Sequence, residues 1–268
     1  MNKYRADLHI HTVLSPCGSL SMSPTTIVEK AKQAGINILG ITDHNSMRQC
    51  QVVREIGAKA GIMVLSGVEI TTHEEAHCLA FFEKTEDQQA FQEYLDIQLP
   101  NIQNDTNRFG HQVWVDEMEN ILGEEERLLL SALSDGVDQI AAEVKKRNGI
   151  FIAAHIDRPS FSIISQLGFI TPDIPFDALE ISVNCQWDKL ISKHPYLNKY
   201  NIFTSSDAHL PELIGTSTST IECEALTFDE VQKAIRGEAG RSIKPEKMNI
   251  ASLDSKNLDT KKISILKK

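Results

Sequence analysis

Short apolar runs recur along this 268-residue chain, and at the ends of most of them stand histidines or carboxylates. His9 and His11 close the run that begins at Ala6; Asp43 and His44 follow ILGIT (Ile38 to Thr42); Glu69 lies near the end of IMVLSGVEIT. His77 opens HCLAFF, His155 ends IFIAAH, and Asp207 and His209 follow NIFTSS. Short buried strands separated by helical patterns are the signature of α/β architecture with a largely parallel sheet. One helix is expected from Pro24 to about Ala34, with Ser23 as N-cap, proline in the first turn and Gly35 as the stop. Others are expected around Met47 to Ala60 and from Phe228 to about Arg236. Sheets of this kind place their sites beyond the carboxyl ends of the strands.

Residues 83–133 break the rhythm. They are polar and carry no buried-strand signal, which predicts a small helical insert or lid within a barrel domain spanning 1–240. Residues 241–268 read as a basic, solvated C-terminal tail. No run of eighteen apolar residues is present, so no membrane partner is expected. The opening MNKYRADLHIHT lacks the apolar stretch of a signal peptide, and the five cysteines form no C-x-x-C pair. Both point to a cytoplasmic protein with reduced thiols. A net charge of −10 argues against broad binding of extended duplex nucleic acid. It leaves open a small phosphorylated substrate or short oligonucleotide held through bound cations. Oligomeric state has no signature in the sequence.

The single-residue gap in His9-x-His11 and Asp207-x-His209 puts both members of each pair on one face of an extended chain. Together with Glu69 and the three further strand-end histidines, these pairs predict a polynuclear metal site. Imidazole and carboxylate suit Zn²⁺, Mn²⁺ or Fe²⁺, and Glu69 is the candidate bridge between two ions. Two such ions would hold a bridging hydroxide and clamp an in-line displacement at phosphorus.

The motifs DLHIHT, ITDHN, GVEIT, AHCLAFF, AAHIDRPS and SSDAH, in this order, resemble those of the PHP (polymerase and histidinol phosphatase) family. The resemblance implies a distorted (β/α)7 barrel whose cleft holds two or three divalent metal ions. Members include histidinol phosphatases, nucleotide phosphoesterases, a 5′-to-3′ exonuclease on short RNA, and domains attached to bacterial replicative polymerases. The implied ligands are His9, His11, His44, Glu69, His77, His155, Asp207 and His209. Many relatives place a ligating Asp or His shortly after the H-x-H. Here the stretch is HTVLSPCG, which makes Cys17 the candidate in that place. Arg158 is the expected phosphate clamp, Asp207 or His209 the expected aid to proton transfer, and Asp43 a partner that orients a ligating histidine.

The expected function is therefore hydrolysis of a phosphomonoester or phosphodiester, of a nucleotide or short oligonucleotide. The alternatives are an amidohydrolase-type enzyme attacking carbon, which also begins with H-x-H, and a non-catalytic metal-bound regulatory module. Arg108, His111 and Arg127 in the insert are expected to be solvated, and His194 to be exposed. Trp114 and Trp187 are either base-stacking or packing residues, with packing expected of Trp187.

Overall fold

The computed structural model describes residues 1–246, and the sequence-predicted strands all form. In chain order the elements are β1 (Asn2–Ile10), α1 (Pro24–Gln33), β2 (Ile38–Ile41), α2 (Cys50–Ala60), β3 (Met63–Thr71) and β4 (His77–Phe82). Next come α3 (Thr85–Gln98), α4 (Thr106–Phe109), β5 (Val113–Val115), β6 (Ile121–Glu124), α5 (Val137–Lys146), β7 (Ile150–Ala153) and α6 (Ile163–Leu167). The last are β8 (Ala178–Ile181), α7 (Trp187–Lys193), β9 (Ile202–Thr204), β10 (Ser219–Cys223), α8 (Phe228–Arg236) and β11 (Ser242–Pro245). Among the described residues no helix is long and apolar enough to cross a membrane.

Seven strands, in the order β1-β2-β3-β4-β7-β8-β9, form a nearly closed barrel. The gap between its two edges is bridged by backbone. His11 N donates to Ala208 O at 3.0 Å and Ala208 N to His9 O at 3.3 Å, so the segment after β9 lies parallel to the end of β1. β4 runs antiparallel to both neighbours, which the expectation of a largely parallel sheet did not specify. The short connection from Thr71 to His77 leaves no room for a crossover helix, so a hairpin is the available route. β10 and β11 extend the free edge of β1, and α8 packs Val231, Ala234 and Ile235 into the same cluster as the barrel interior.

Side-chain alternation sorts the strands into two faces. Leu65 of β3, Leu79 and Phe81 of β4, Ile152 of β7 and Ala178 of β8 belong to the interior cluster, while Val64, Val68, Cys78, Ala80, Phe151 and Leu179 pack outward beneath the helices. Gly40 of β2 meets the backbone of β1 so closely that a Cβ there would lie 2.4 Å from Leu8 O.

The insert departs from expectation. α3 is helical and its Phe91 and Leu95 are fully buried, but β5 and β6 form a hairpin where helix was predicted. Asp116 closes the turn by accepting from Met118 N and Asn120 N, both at 2.8 Å, and Val113 and Val115 pack on Val13. The apolar stretch EEERLLLSAL is not a helix either. Its peptide groups are taken up by side-chain amides: Gln112 binds Glu125 O, Arg127 O and Leu129 N, and Asn45 binds Leu129 O and Ser131 O. Arg127, expected to be solvated, is fastened to Glu125 and to Asp96 O. Of the segment set apart as a tail, Ser242–Pro245 is β11, and residues 247–268 lie outside the described residues.

Candidate metal centre

Glu69 lies at the middle of the site, 2% exposed, and its two carboxylate oxygens face different partners. Oε2 is 3.4 Å from His9 Nε2, 3.2 Å from His11 Nε2 and 3.2 Å from His44 Nδ1. Oε1 is 2.7 Å from His77 Nδ1 and 3.1 Å from His155 Nε2. Asp207 Oδ1 completes the first group at 3.4 Å from His9 Nε2 and 3.3 Å from His11 Nε2, and the two histidine nitrogens are themselves 3.3 Å apart. Donor atoms bound tetrahedrally at about 2.0–2.1 Å stand roughly 3.3–3.4 Å from one another. The spacing among His9, His11, Glu69 and Asp207 therefore suits a single divalent cation.

His77 Nδ1 and His44 Nδ1 are buried and make no hydrogen bond in spite of their closeness to Glu69. Donors that approach a carboxylate without aiming at it are turned toward a common third point, which is what ligands of one ion do. A third group brings Cys17, His44 and His209 together beside His11, with one ligand atom from each lying within 4.8 Å of the rest. The nine residues expected as ligands thus lie together around Glu69, and three groups among them, His9/His11/Glu69, His44/Glu69/His77 and His11/Cys17/His44/His209, are spaced to be able to hold a metal ion.

Local structure aims them there in three ways. Glu69 and His77 arrive by alternation, in phase with Leu65 and with Leu79 and Phe81. His9 and His11 do not, because Ala6 and Leu8 already occupy the inward phase. A register break between Asp7 and Ile10 resets it, sending Ile10 outward and the histidines inward. His155 and Asp207 are turned in by left-handed backbone, φ 28° and 50°, a conformation that costs a non-glycine residue about 1–3 kcal/mol and clusters at functional sites.

Neighbours fix the tautomers. His9 Nδ1 donates to both oxygens of Glu180, at 2.9 and 3.1 Å, and His209 Nδ1 donates to Asp207 O at 2.9 Å, so each presents Nε2 to the cavity. His11 Nδ1 is held by Ser15 Oγ at 2.9 Å, and that hydroxyl donates to Asp43 Oδ1 at 2.6 Å. Asp43 therefore acts on His11 through Ser15, and its remaining contacts are to Thr12. Asp7 ties β1 to the loop that carries Asp207 by accepting from Ser206 N and Gly215 N, each at 2.9 Å.

Burial opposes charge on every one of these groups, and the outcome depends on each one's partners. Glu69 and Asp207 are nonetheless held well below the usual carboxylate range by the surrounding histidines, with Arg158 adding to the effect on Asp207. His9 is raised well above its ordinary value, because Glu180, Asp207 and Glu69 outweigh burial, and His11 reaches about 9 through its bonds to Asp207 and Glu69. Burial prevails at His44 and His155, which are lowered, and at His209, lowered to about 4, leaving neutral imidazoles fit for ligation. The Cys17 thiol is pushed up by burial and by the carboxylates of Glu69, Asp207 and Asp43. Only a nearby cation would reverse that.

Arg158, 43% exposed, pairs with Asp207 Oδ2 at the rim. With Oδ1 turned to His9 and His11, neither oxygen of Asp207 is left as a free base. Glu180 was missed at the sequence level, although a carboxylate in phase with Ala178 at the end of ALEIS is a readable inward signal. Of the aromatic candidates, Trp114 packs against Gly123 beneath Arg48, and Trp187 packs against the outer core. His73 is exposed, His194 is half-buried near Tyr196, His111 pairs with Glu124 and Arg108 lies over Phe109, none of them at the site.

Among solved structures, the chain is similar to endonuclease Q in complex with a 27-mer duplex bearing an abasic lesion. The TM-score is 0.67 at 22% identity, covering 90% of this chain and 58% of that one. Among curated proteins it is 36% identical over 78 residues to an uncharacterized protein of Methanocaldococcus jannaschii, covering 26% of this chain and 46% of the relative. It is 31% identical over 68 residues to the phosphoribosyl 1,2-cyclic phosphate 1,2-diphosphodiesterase of Eggerthella lenta, covering 25% of each. The chain thus spans less than half the length of these curated relatives. The family model described as PHP domain matches residues 7–162, more than half of the chain, and takes in seven of the nine converging residues, from His9 to His155. The chain belongs to the PHP domain family.

Proposed function

We propose that this chain is a metal-dependent phosphoesterase that hydrolyses a phosphomonoester or phosphodiester of a nucleotide or short oligonucleotide. The observation that carries this reading is the divided carboxylate of Glu69, with one oxygen among His9, His11 and His44 and the other between His77 and His155. A carboxylate set between two histidine clusters suits a ligand shared by neighbouring sites: His9, His11, Glu69 and Asp207 would hold one divalent ion, and Glu69, His77 and His155 another. Cys17, His44 and His209 would hold a third. Bound divalent ions supply an activated water and neutralise phosphoryl oxygens. The chain's own part is to fix the imidazole tautomers through Glu180 and Ser15, and to offer Arg158 at the rim as a planar partner for phosphate. His209, neutral and with Nε2 turned to the cavity, is the residue best suited to move a proton if its position in the third group is vacant.

The relatives support phosphoester chemistry: one is named as a cyclic phosphate diphosphodiesterase and one as a 5′-3′ exoribonuclease of Haemophilus influenzae. The test is phosphate or nucleotide release by Mn²⁺- or Zn²⁺-loaded protein over nucleoside monophosphates, bisphosphates, histidinol phosphate, a short RNA and an abasic duplex DNA. His9→Ala should abolish turnover. Stoichiometric metal with no turnover of any phosphoester would overturn the reading, and preference for the duplex would overturn the small-substrate part of it.

A further inference from the structure

Four residues past Arg158, the chain closes a short turn that is fastened at both ends. Ser162 Oγ donates to Arg158 O at 2.8 Å and caps α6 in a reciprocal pair with Ser165, and Phe161 O accepts from His77 N at 2.8 Å. Within this turn Phe161 has φ 57°, a left-handed conformation that a bulky aromatic residue seldom adopts. Its ring stacks on the His77 imidazole, centroids 5.0 Å apart and planes 22° from parallel, and is nonetheless 45% exposed. A large apolar side chain held in a costly backbone conformation, half in water and beside a cavity of ionised carboxylates, gains little from packing. The same turn carries Arg158, whose guanidinium pairs with Asp207.

We propose that Phe161 is a specificity-determining residue, a stacking platform for a planar aromatic group attached to the phosphoester, such as a nucleobase. The phosphoryl group would lie in the cavity beside Arg158, and the planar group would stack on the exposed part of the Phe161 ring. This rests on the phosphoester reading above and narrows it to substrates with an aromatic moiety close to the reacting phosphate. Base–aromatic stacking tolerates any base, so the platform selects the class and not the identity of the base. Trp114 and Trp187 leave this role open, since both are packed away from the cavity.

The test compares adenosine 5′-monophosphate with ribose 5-phosphate, which share the phosphoester and differ by the base. Binding to metal-loaded protein is measured by calorimetry alongside phosphate release. Wild-type protein should bind the nucleotide on the order of tenfold more tightly. Phe161→Leu, which keeps an apolar side chain without an aromatic face, should bring the ratio close to one, and Phe161→Trp should preserve it. A role limited to shielding His77 would change both ligands equally and leave the ratio alone. Equal affinities in wild type, or a ratio that survives Phe161→Leu, would overturn the proposal. Nucleotide preference without hydrolysis would instead overturn the phosphoesterase reading and leave the platform standing.

Discussion

Replacing Glu180 with glutamine probes how far the site depends on a residue that touches no ion. Glu180 is 2% exposed, and its Oε2 accepts from both His9 Nδ1 at 2.9 Å and His155 N at 3.1 Å, while Oε1 lies 3.1 Å from His9 Nδ1. A glutamine satisfies the most bonds by placing its single oxygen where Oε2 was. Its NH₂ then stands where Oε1 was, donor against the N–H of His9. Leaving a buried donor opposed costs about 1–3 kcal/mol, and loss of the carboxylate behind a metal-ligating histidine lowers metal affinity roughly 10–100-fold. Apo protein should therefore lose about 1–3 kcal/mol in urea denaturation. Chelator competition with Zn²⁺ should show the affinity loss on top of that, because the His9 imidazole loses the carboxylate charge that makes its Nε2 a stronger donor to metal. Wild-type affinity in a folded Glu180→Gln protein would refute the argument that Glu180 orients His9 for ligation.

Cys17→Ser should remove the sulfur-to-metal charge-transfer absorption expected of Co²⁺-reconstituted protein and lower the bound metal by up to one equivalent. An unchanged spectrum would show that Cys17 is not a ligand. Acid stability offers an independent check far from the site. Bonds from Arg241 and from Glu224 N hold the Glu230 carboxyl down to about 2. A depressed carboxylate stabilises the fold above its ordinary pKa, and that stabilisation is lost as pH falls from about 4.5 toward 2. Glu230→Gln should flatten this part of the pH–stability curve, and an unaltered acid limb on thermal unfolding would count against the Arg241 pairing.

That the candidate ligands would come together was legible in the sequence, because a strand has a period of two and these residues fall at the ends of apolar runs. Glu69 and His77 could be assigned inward from Leu65 and Leu79 by that period, and Glu180 could have been assigned from Ala178 in the same way. Helix ends were equally legible: α8 spans Phe228–Arg236 as expected, with Thr227 as N-cap, because caps act over one turn. What period and propensity could not supply was any departure from them. The register break in β1 and the left-handed backbone at His155 invert the local alternation, and neither is written in the local sequence pattern. The insert shows the same limit in reverse. EEERLLLSAL has helical composition, yet Gln112 and Asn45 satisfy its peptide groups in an irregular, turning path, and Leu129 and Leu133 are buried without a helix. Hydrogen bonds from side chains far along the chain outweighed a local preference worth only tenths of a kcal/mol per residue, and only the tertiary structure brings those side chains near.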